Sequence, residues 1–367
     1  MSLRQGRRSV IEGVPTPLWL IEGFYGSPWP DAARLANYRL IGKWGYEGAI
    51  YAPKADRSLR SEWRRPLRPA EHLRLSEMAS TATASGLKFG VGLSPMNVWN
   101  DWSGETRNHL TAKLADLHAC GCEVLSLQFD DMHGDVPHLA RLQAEIVGFV
   151  SEHWGGSRLI ICPTYYSDDP ILAAVFGDPP ATYLEDLARD LPTQIDIFWT
   201  GPKVVSTLID QDHILEVTAR MGRRPFLWDN YPVNDGARTS RHLFLKAAEG
   251  REVLMNGELA GYAANPMLQP HLSQIPLRAL AALVHDQPSR SSEELLDFAL
   301  RDCVDPLSAP LFVRHADDFA ARGLDGLVAW EADQIGKAFG EFNDPHATEV
   351  ARWLAGEFAF DPACLTD

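Results

Sequence analysis

The chain predicts a (β/α)8 barrel of the TIM type followed by a short C-terminal helical region, and three patterns carry that expectation. Short apolar runs alternate with amphipathic segments from residue 16 to residue 272, and polar or aromatic residues recur directly after the runs. Beyond residue 272 only helical periodicity remains. Strand-helix units repeated eight times suit a closed parallel barrel, whose functional face is built from the loops after each strand. A doubly wound open sheet is the competing arrangement, but no Gly-x-Gly-x-x-Gly turn follows the first run.

The strands are expected at Leu18–Glu22, Gly48–Tyr51, Lys88–Leu93, Val124–Phe129, Arg158–Cys162, Ile195–Trp199, Pro225–Trp228 and Glu252–Asn256. Each is short, apolar and bounded by turn formers, the signature of a buried strand. Between them, Asp31–Lys43, Ala70–Ala84, Thr106–Ala119, His138–His153 and Val204–Met221 carry amphipathic helical spacing. The post-strand loops are Gly23-Phe24-Tyr25-Gly26, Pro53-Lys54-Ala55-Asp56, Ser94-Pro95-Met96-Asn97, Asp130-Asp131, Pro163-Thr164-Tyr165-Tyr166, Thr200-Gly201-Pro202-Lys203 and Asp229-Asn230-Tyr231-Pro232-Val233-Asn234-Asp235. The eighth run leads on to Asn265-Pro266. Helices are then expected at Pro276–His285, Ser292–Leu300 (with Ser292 as N-cap) and Lys337–Glu357. The division is therefore a flexible N-terminus over 1–15, a barrel over 16–272, and a helical region over 273–367 packed on it.

Composition narrows the partners. With 45% hydrophobic and 23% charged residues, the 367-residue chain reads as a soluble globular protein. A net charge of −15 argues against nucleic acid or an anionic membrane, because phosphate binding needs a basic surface. The one basic cluster, Arg57, Arg60, Arg64, Arg65 and Arg68, is expected as a solvated loop, with a role in guiding an acidic substrate as the alternative. Five scattered cysteines, no Cys-x-x-Cys and no signal-like start make a reduced, cytoplasmic setting the simplest expectation.

The chemically most informative pair is Asp130-Asp131. Side chains alternate faces along a strand, so adjacent carboxylates can share a pocket only where the chain leaves the pleat. Two nearby carboxylates repel, one tending to hold a proton while the other ionises, and that split suits acid-base work. Taken alone, the pair reads more readily as a solvated strand-end turn. A face also bearing a lysine, tyrosines, asparagines and a tryptophan suits a sugar, whose hydroxyls want polar partners and whose ring packs on aromatics. Glycoside cleavage usually needs two carboxylates across the scissile bond. Adjacent aspartates are too constrained for that, and fit better where the substrate's own 2-acetamido oxygen attacks.

The chain resembles the family 84 glycoside hydrolases, the O-GlcNAcase and bacterial β-N-acetylglucosaminidase group once called hyaluronidases. The matching segments, in order, are Glu22-Gly23-Phe24-Tyr25-Gly26-x-Pro28-Trp29, Tyr51-Ala52-Pro53-Lys54, Phe129-Asp130-Asp131, Cys162-Pro163-Thr164-x-Tyr166, Trp199-Thr200-Gly201-Pro202-Lys203-Val204-Val205, Trp228-Asp229-Asn230-x-x-x-Asn234-Asp235 and Asn265-Pro266. By that resemblance Asp130 orients the acetamido group, Asp131 is the general acid and then base, and Tyr166 donates to the acetamido or oxazoline oxygen. The resemblance further implies that the Gly23 carbonyl, Lys54, Asp235 and Asn265 bind sugar hydroxyls, that Asn230 serves the acetamido side, and that Trp228 walls the pocket. It implies no cofactor and no metal. The expected partner is a GlcNAc-bearing glycoprotein or glycoconjugate, with a homodimer left open. Two other classes compete: a non-catalytic GlcNAc-binding protein, and a metal-dependent barrel hydrolase using Asp130, Asp131 and His133.

Overall fold

The computed structural model describes residues 15–286 and 290–366, so the N-terminal segment expected to be flexible lies, except for residue 15, outside the described residues. Eight parallel strands close into a barrel in chain order. They are β1 (Leu18–Glu22), β2 (Gly48–Tyr51), β3 (Lys88–Leu93), β4 (Val124–Gln128), β5 (Arg158–Cys162), β6 (Asp196–Trp199), β7 (Phe226–Asp229) and β8 (Gly261–Ala264). Closure is made by β1 on β8, with Leu18 opposite Tyr262 and Leu20 opposite Ala264. The strands are buried almost end to end, as a sheet covered by helices on its outer face requires.

Around the barrel run α1 (Asp31–Lys43), α2 (Pro69–Ala84), α3 (Gly104–Ala119), α4 (Leu139–His153), α5 (Pro170–Phe176), α6 (Tyr183–Asp190) and α7 (Gln211–Met221). The pair α5 and α6 fills the β5–β6 connection, which the sequence reading left without helices. The helix expected to begin at Val204 begins instead at Gln211, where Asp210 caps it through the His213 amide. Residues 200–210 are thereby freed as a loop at the functional face.

The eighth strand is a correction. Glu252–Met255 is a short 3-10 helix, not a strand, and β8 lies further on at Gly261-Tyr262-Ala263-Ala264. The apolar Val253 and Leu254 are buried, which produced a strand-like run. The true strand opens on a glycine because there is no room for a larger residue there. A methyl group at Gly261 would lie 2.6 Å from the Phe226 ring on the neighbouring strand. Arg251, at the head of the 3-10 turn, is 2% exposed and bonds Asp229 at the end of β7 at 2.6 Å. The Tyr262 hydroxyl reaches the same carboxylate at 2.5 Å.

The helices after the barrel are α8 (Gln274–Ala281), α9 (Ser292–Cys303), α10 (Ala309–Ala321), α11 (Gly323–Gly326), α12 (Ala329–Gly340) and α13 (Pro345–Leu354). α8 continues into a π-helical turn through Asp286. The cap of α9 is Ser291 rather than Ser292, in a capping box with Glu294. The single helix expected over Lys337–Glu357 is two, because Asp344 caps a new helix that starts at Pro345. These helices enclose a second apolar core containing Phe312, Phe319, Phe339 and Trp353, which also takes in Leu243, Leu245, Met267 and Leu272. α8 faces both cores, with Leu277 and Ala281 on the barrel and Ile275 and Ala279 on the other side. No helix among the described residues is long and apolar enough to cross a membrane.

Two stability outcomes follow from the closure. Gly261→Ala overpacks the β7–β8 seam and should cost about 1–3 kcal/mol in denaturant unfolding. Arg251→Met strands a buried Asp229 carboxylate and should cost more, about 3–5 kcal/mol.

Candidate active site

Gly23, Lys54, Asp130, Asp131, Tyr166, Trp228, Asn230, Asp235 and Asn265 all line one cavity. Trp228 is near the end of β7 itself, and the others lie beyond the C-terminal ends of β1, β2, β4, β5, β7 and β8, the face where barrel loops carry function. The loop after β3 supplies no lining residue. Its Ser94 amide bonds Leu59 and its Met96 carbonyl accepts the Trp63 indole, so it braces the β2 loop instead.

Asp131 explains how neighbouring carboxylates enter one cavity. Its φ of 61° places it in the left-handed region, which turns the chain sharply after β4. For a non-glycine residue this conformation costs on the order of 1 kcal/mol, tolerated best by Asp and Asn, and such strain gathers at functional sites. Lys54 then sits between the two carboxylates. Its Nζ bonds Asp130 and lies 3.1 Å from Asp131 Oδ2.

The electrostatics divide the pair. Burial raises the Asp131 carboxyl, but Lys54 and Arg60 outweigh it and hold it at about 2. For Asp130 burial wins, pushing the carboxyl above its ordinary range against the pull of Lys54. Asp131 is thus the ionised partner and Asp130 the better proton holder. Asp130 Oδ1 is buried without a hydrogen-bond partner, an acceptor that nothing in the protein satisfies. Lys54 stays protonated because the charges of Asp130 and Asp131 overcome its burial. Tyr166 is buried, and burial followed by the two carboxylate charges raises its phenol, so it remains a donor.

The far wall is a chain of carboxamides. Trp228 Nε1 and Asn265 Nδ2 both donate to Asn230 Oδ1 at 3.0 Å, and Asn230 Nδ2 donates to the Val204 carbonyl at 3.0 Å. Asn265 Oδ1 accepts the Gly23 amide at 3.1 Å. Gly23 has to be glycine, since a Cβ there would lie 2.2 Å from the Trp228 ring. Asp235 Oδ2 accepts the Tyr25 amide at 2.7 Å, tying the β7 loop to the β1 loop.

Several neighbours of the motif residues do other work. Asp229 is buried in the Arg251 and Tyr262 bonds and does not line the cavity. Trp199 is buried and donates to His213, whereas Tyr25 and Thr200 do line the cavity. Lys203 is exposed, 3.6 Å from Asp169, rather than buried in an ion pair. His133 is exposed and no lining residue, so Asp130, Asp131 and His133 do not converge. Among the described residues no group of three His, Cys, Asp or Glu is placed to hold a metal ion.

Further lining residues had no role assigned from the sequence. Val204 and Val205 end one of the matching segments but also open the expected helix, Val233 lies in the loop after β7, and Thr239, Cys364 and Thr366 belong to no motif. Thr366 lines the same cavity as Tyr166. The arginine cluster differs most from expectation. Arg57 and Arg65 pair with Glu62, Arg65 also with Glu71, and Arg64 lies over Trp63. Arg60 turns inward to Asp131.

The family profile described as beta-N-acetylglucosaminidase matches residues 20–314. Protein O-GlcNAcase from Rattus norvegicus is 29% identical over 271 residues, covering 71% of this chain but 29% of its own length, and the Mus musculus protein matches to the same extent. The chain therefore spans less than a third of those relatives. Among solved structures, a mutant of the Thermobaculum terrenum O-GlcNAc hydrolase superposes with a TM-score of 0.76 at 26% identity, over 92% of this chain and 80% of that one. The barrel, its paired aspartates and a profile match over most of the length place this chain in the β-N-acetylglucosaminidase family, the family 84 glycoside hydrolases.

Proposed function

We propose that the chain is a retaining, O-GlcNAcase-like exo-β-N-acetylglucosaminidase that removes terminal β-linked GlcNAc through an oxazoline intermediate. The observation that carries this reading is the convergence of two adjacent aspartates on one cavity, with the Asp130 Oδ1 acceptor unpartnered. Adjacent carboxylates suit a reaction in which the nucleophile belongs to the substrate. Asp130 accepts the acetamido N–H and aims the acetamido oxygen at the anomeric carbon. Asp131 protonates the leaving oxygen, then takes a proton from the water that opens the oxazoline. Tyr166, its phenol kept protonated, donates to the acetamido oxygen.

The resting charges and these roles meet in one step. In the free pair Asp130 is the carboxyl that ionises less readily. An amide N–H donated to Asp130 favours its ionised form, which raises the proton affinity of Asp131 as the sugar binds. Lys54, Asp235, Asn265 and the Gly23 carbonyl hold the ring hydroxyls, Asn230 stands on the acetamido side, and Trp228 packs against the sugar. The substrate is a GlcNAc-bearing glycoprotein or glycoconjugate, met in the cytoplasm and cleaved without a cofactor.

Asp131→Asn should lower kcat/KM about 10²–10⁴-fold on GlcNAc with a poor leaving group, yet far less on a dinitrophenyl glycoside that needs no acid. Equal losses on both would argue against Asp131 as the acid. Asp130→Asn should slow both substrates alike, since it acts on the nucleophile. A GlcNAc-thiazoline should bind much more tightly than GlcNAc, measured by competitive inhibition, because it resembles the intermediate. Weak inhibition would sink the substrate-assisted route.

A further inference from the structure

Arg60 is held against Asp131, behind the cavity lining, by an unusually well-tied loop. Asp56 accepts from the Ser58 amide at 3.0 Å, the Ser58 hydroxyl at 2.6 Å, the Tyr51 hydroxyl at 3.0 Å and Arg74 Nη2 at 2.7 Å. Lys113, itself buried, donates to the Ser58 carbonyl at 3.2 Å. Leu59 is buried, and its carbonyl takes the Ser94 amide at 2.8 Å. Within this frame Arg60 Nη1 donates to Asp131 Oδ2 at 3.2 Å, with its guanidinium 5.8 Å from the centre of the Tyr25 ring. The side chain is 14% exposed, so the pair is little screened by water.

We propose that Arg60 is a positioning residue, whose guanidinium fixes the Asp131 carboxylate toward the sugar and sets the charge carried by the aspartate pair. The proposal rests on the glycosidase reading given above. Lys54 alone does not single out Asp131, because it also bonds Asp130. Arg60 touches only Asp131 of the two, and so supplies the asymmetry that a division of roles needs. The other groups facing Asp131 are Tyr25, Tyr166 and Cys162. Burial keeps these two phenols and the thiol neutral, which leaves Lys54, Arg60 and Asp130 as the charges it feels. A planar guanidinium also constrains the carboxylate's direction better than an ammonium does.

The experiment compares wild type with R60Q, R60M and R60K on an aryl GlcNAc of poor leaving group and on the dinitrophenyl glycoside, across pH, with melting temperatures taken for each. The basic limb of kcat/KM reports loss of the last proton from the aspartate pair. Removing a nearby cation makes that proton harder to lose, so the limb of R60Q and R60M should move up by about one pH unit. The pH-independent kcat/KM should fall severalfold on the poor leaving group, with little change on the activated one. R60K should keep the limb near wild type, because charge is retained. Two neutral variants guard against one that fails to fold. An unmoved limb in an active, folded neutral variant, or equal losses on both substrates, overturns the proposal. Absence of any wild-type turnover overturns the glycosidase reading itself, and the proposal with it.

Discussion

Two carboxylates next to each other in sequence and buried in one cavity are tolerable only if cations share the space. An uncompensated buried charge costs several kcal/mol, so Asp130 and Asp131 commit the protein to Lys54, and Lys54 commits it to a particular relation between β2 and β4. Those strands are not neighbours in the sheet, since β3 lies between them. The cation therefore bridges a strand whose own loop is pulled aside to brace the Arg60 turn. Much of the geometry of that side of the face is a response to two negative charges.

The opposite side is organised by neutral hydrogen bonds. The Trp228, Asn230, Asn265 and Gly23 chain joins β7, β8 and β1 at the seam where the barrel closes. Asp229 and Asn230 show how finely roles change along the chain. The carboxylate is spent on Arg251 beneath the face, while the next residue presents its carboxamide to the cavity. Alternation along the strand end accounts for the difference.

Most of the barrel was readable because buried parallel strands are short apolar runs with turn formers at each end. β1, β2, β3 and β5 fall where those runs predict. β8 was hidden because Gly261, held to glycine by the Phe226 ring, and the alanines after Tyr262 carry little strand signal, while a nearby buried turn imitates one. The nine motif residues were legible because the resemblance covers the strand ends. Arg60 was not, because an arginine-rich stretch looks the same whether its members face water or a carboxylate, and Glu62 and Glu71, which neutralise Arg57 and Arg65, lie close by in the sequence. Thr366 lay beyond reach for another reason: it lines the cavity from a point in the chain far from any strand end.

The segment that carries Asn265 is anchored outside the barrel. His271 and Leu272, a few residues on, give their amides to Glu349 of α13 at 3.0 and 2.8 Å, and His271 Nδ1 meets the same carboxylate at 2.8 Å. Glu349 and the neighbouring Asp344 and His346 are all buried, and His346 Nε2 in turn reaches Gln274 at the start of α8. A change of helical pattern near residue 272 therefore marks no seam in three dimensions. Anyone trimming this protein to a minimal catalytic unit would find that a cut there removes the eighth outer helix and the carboxylate that steadies the last strand loop. The smallest useful fragment is defined by what Glu349 holds, not by where the strands stop.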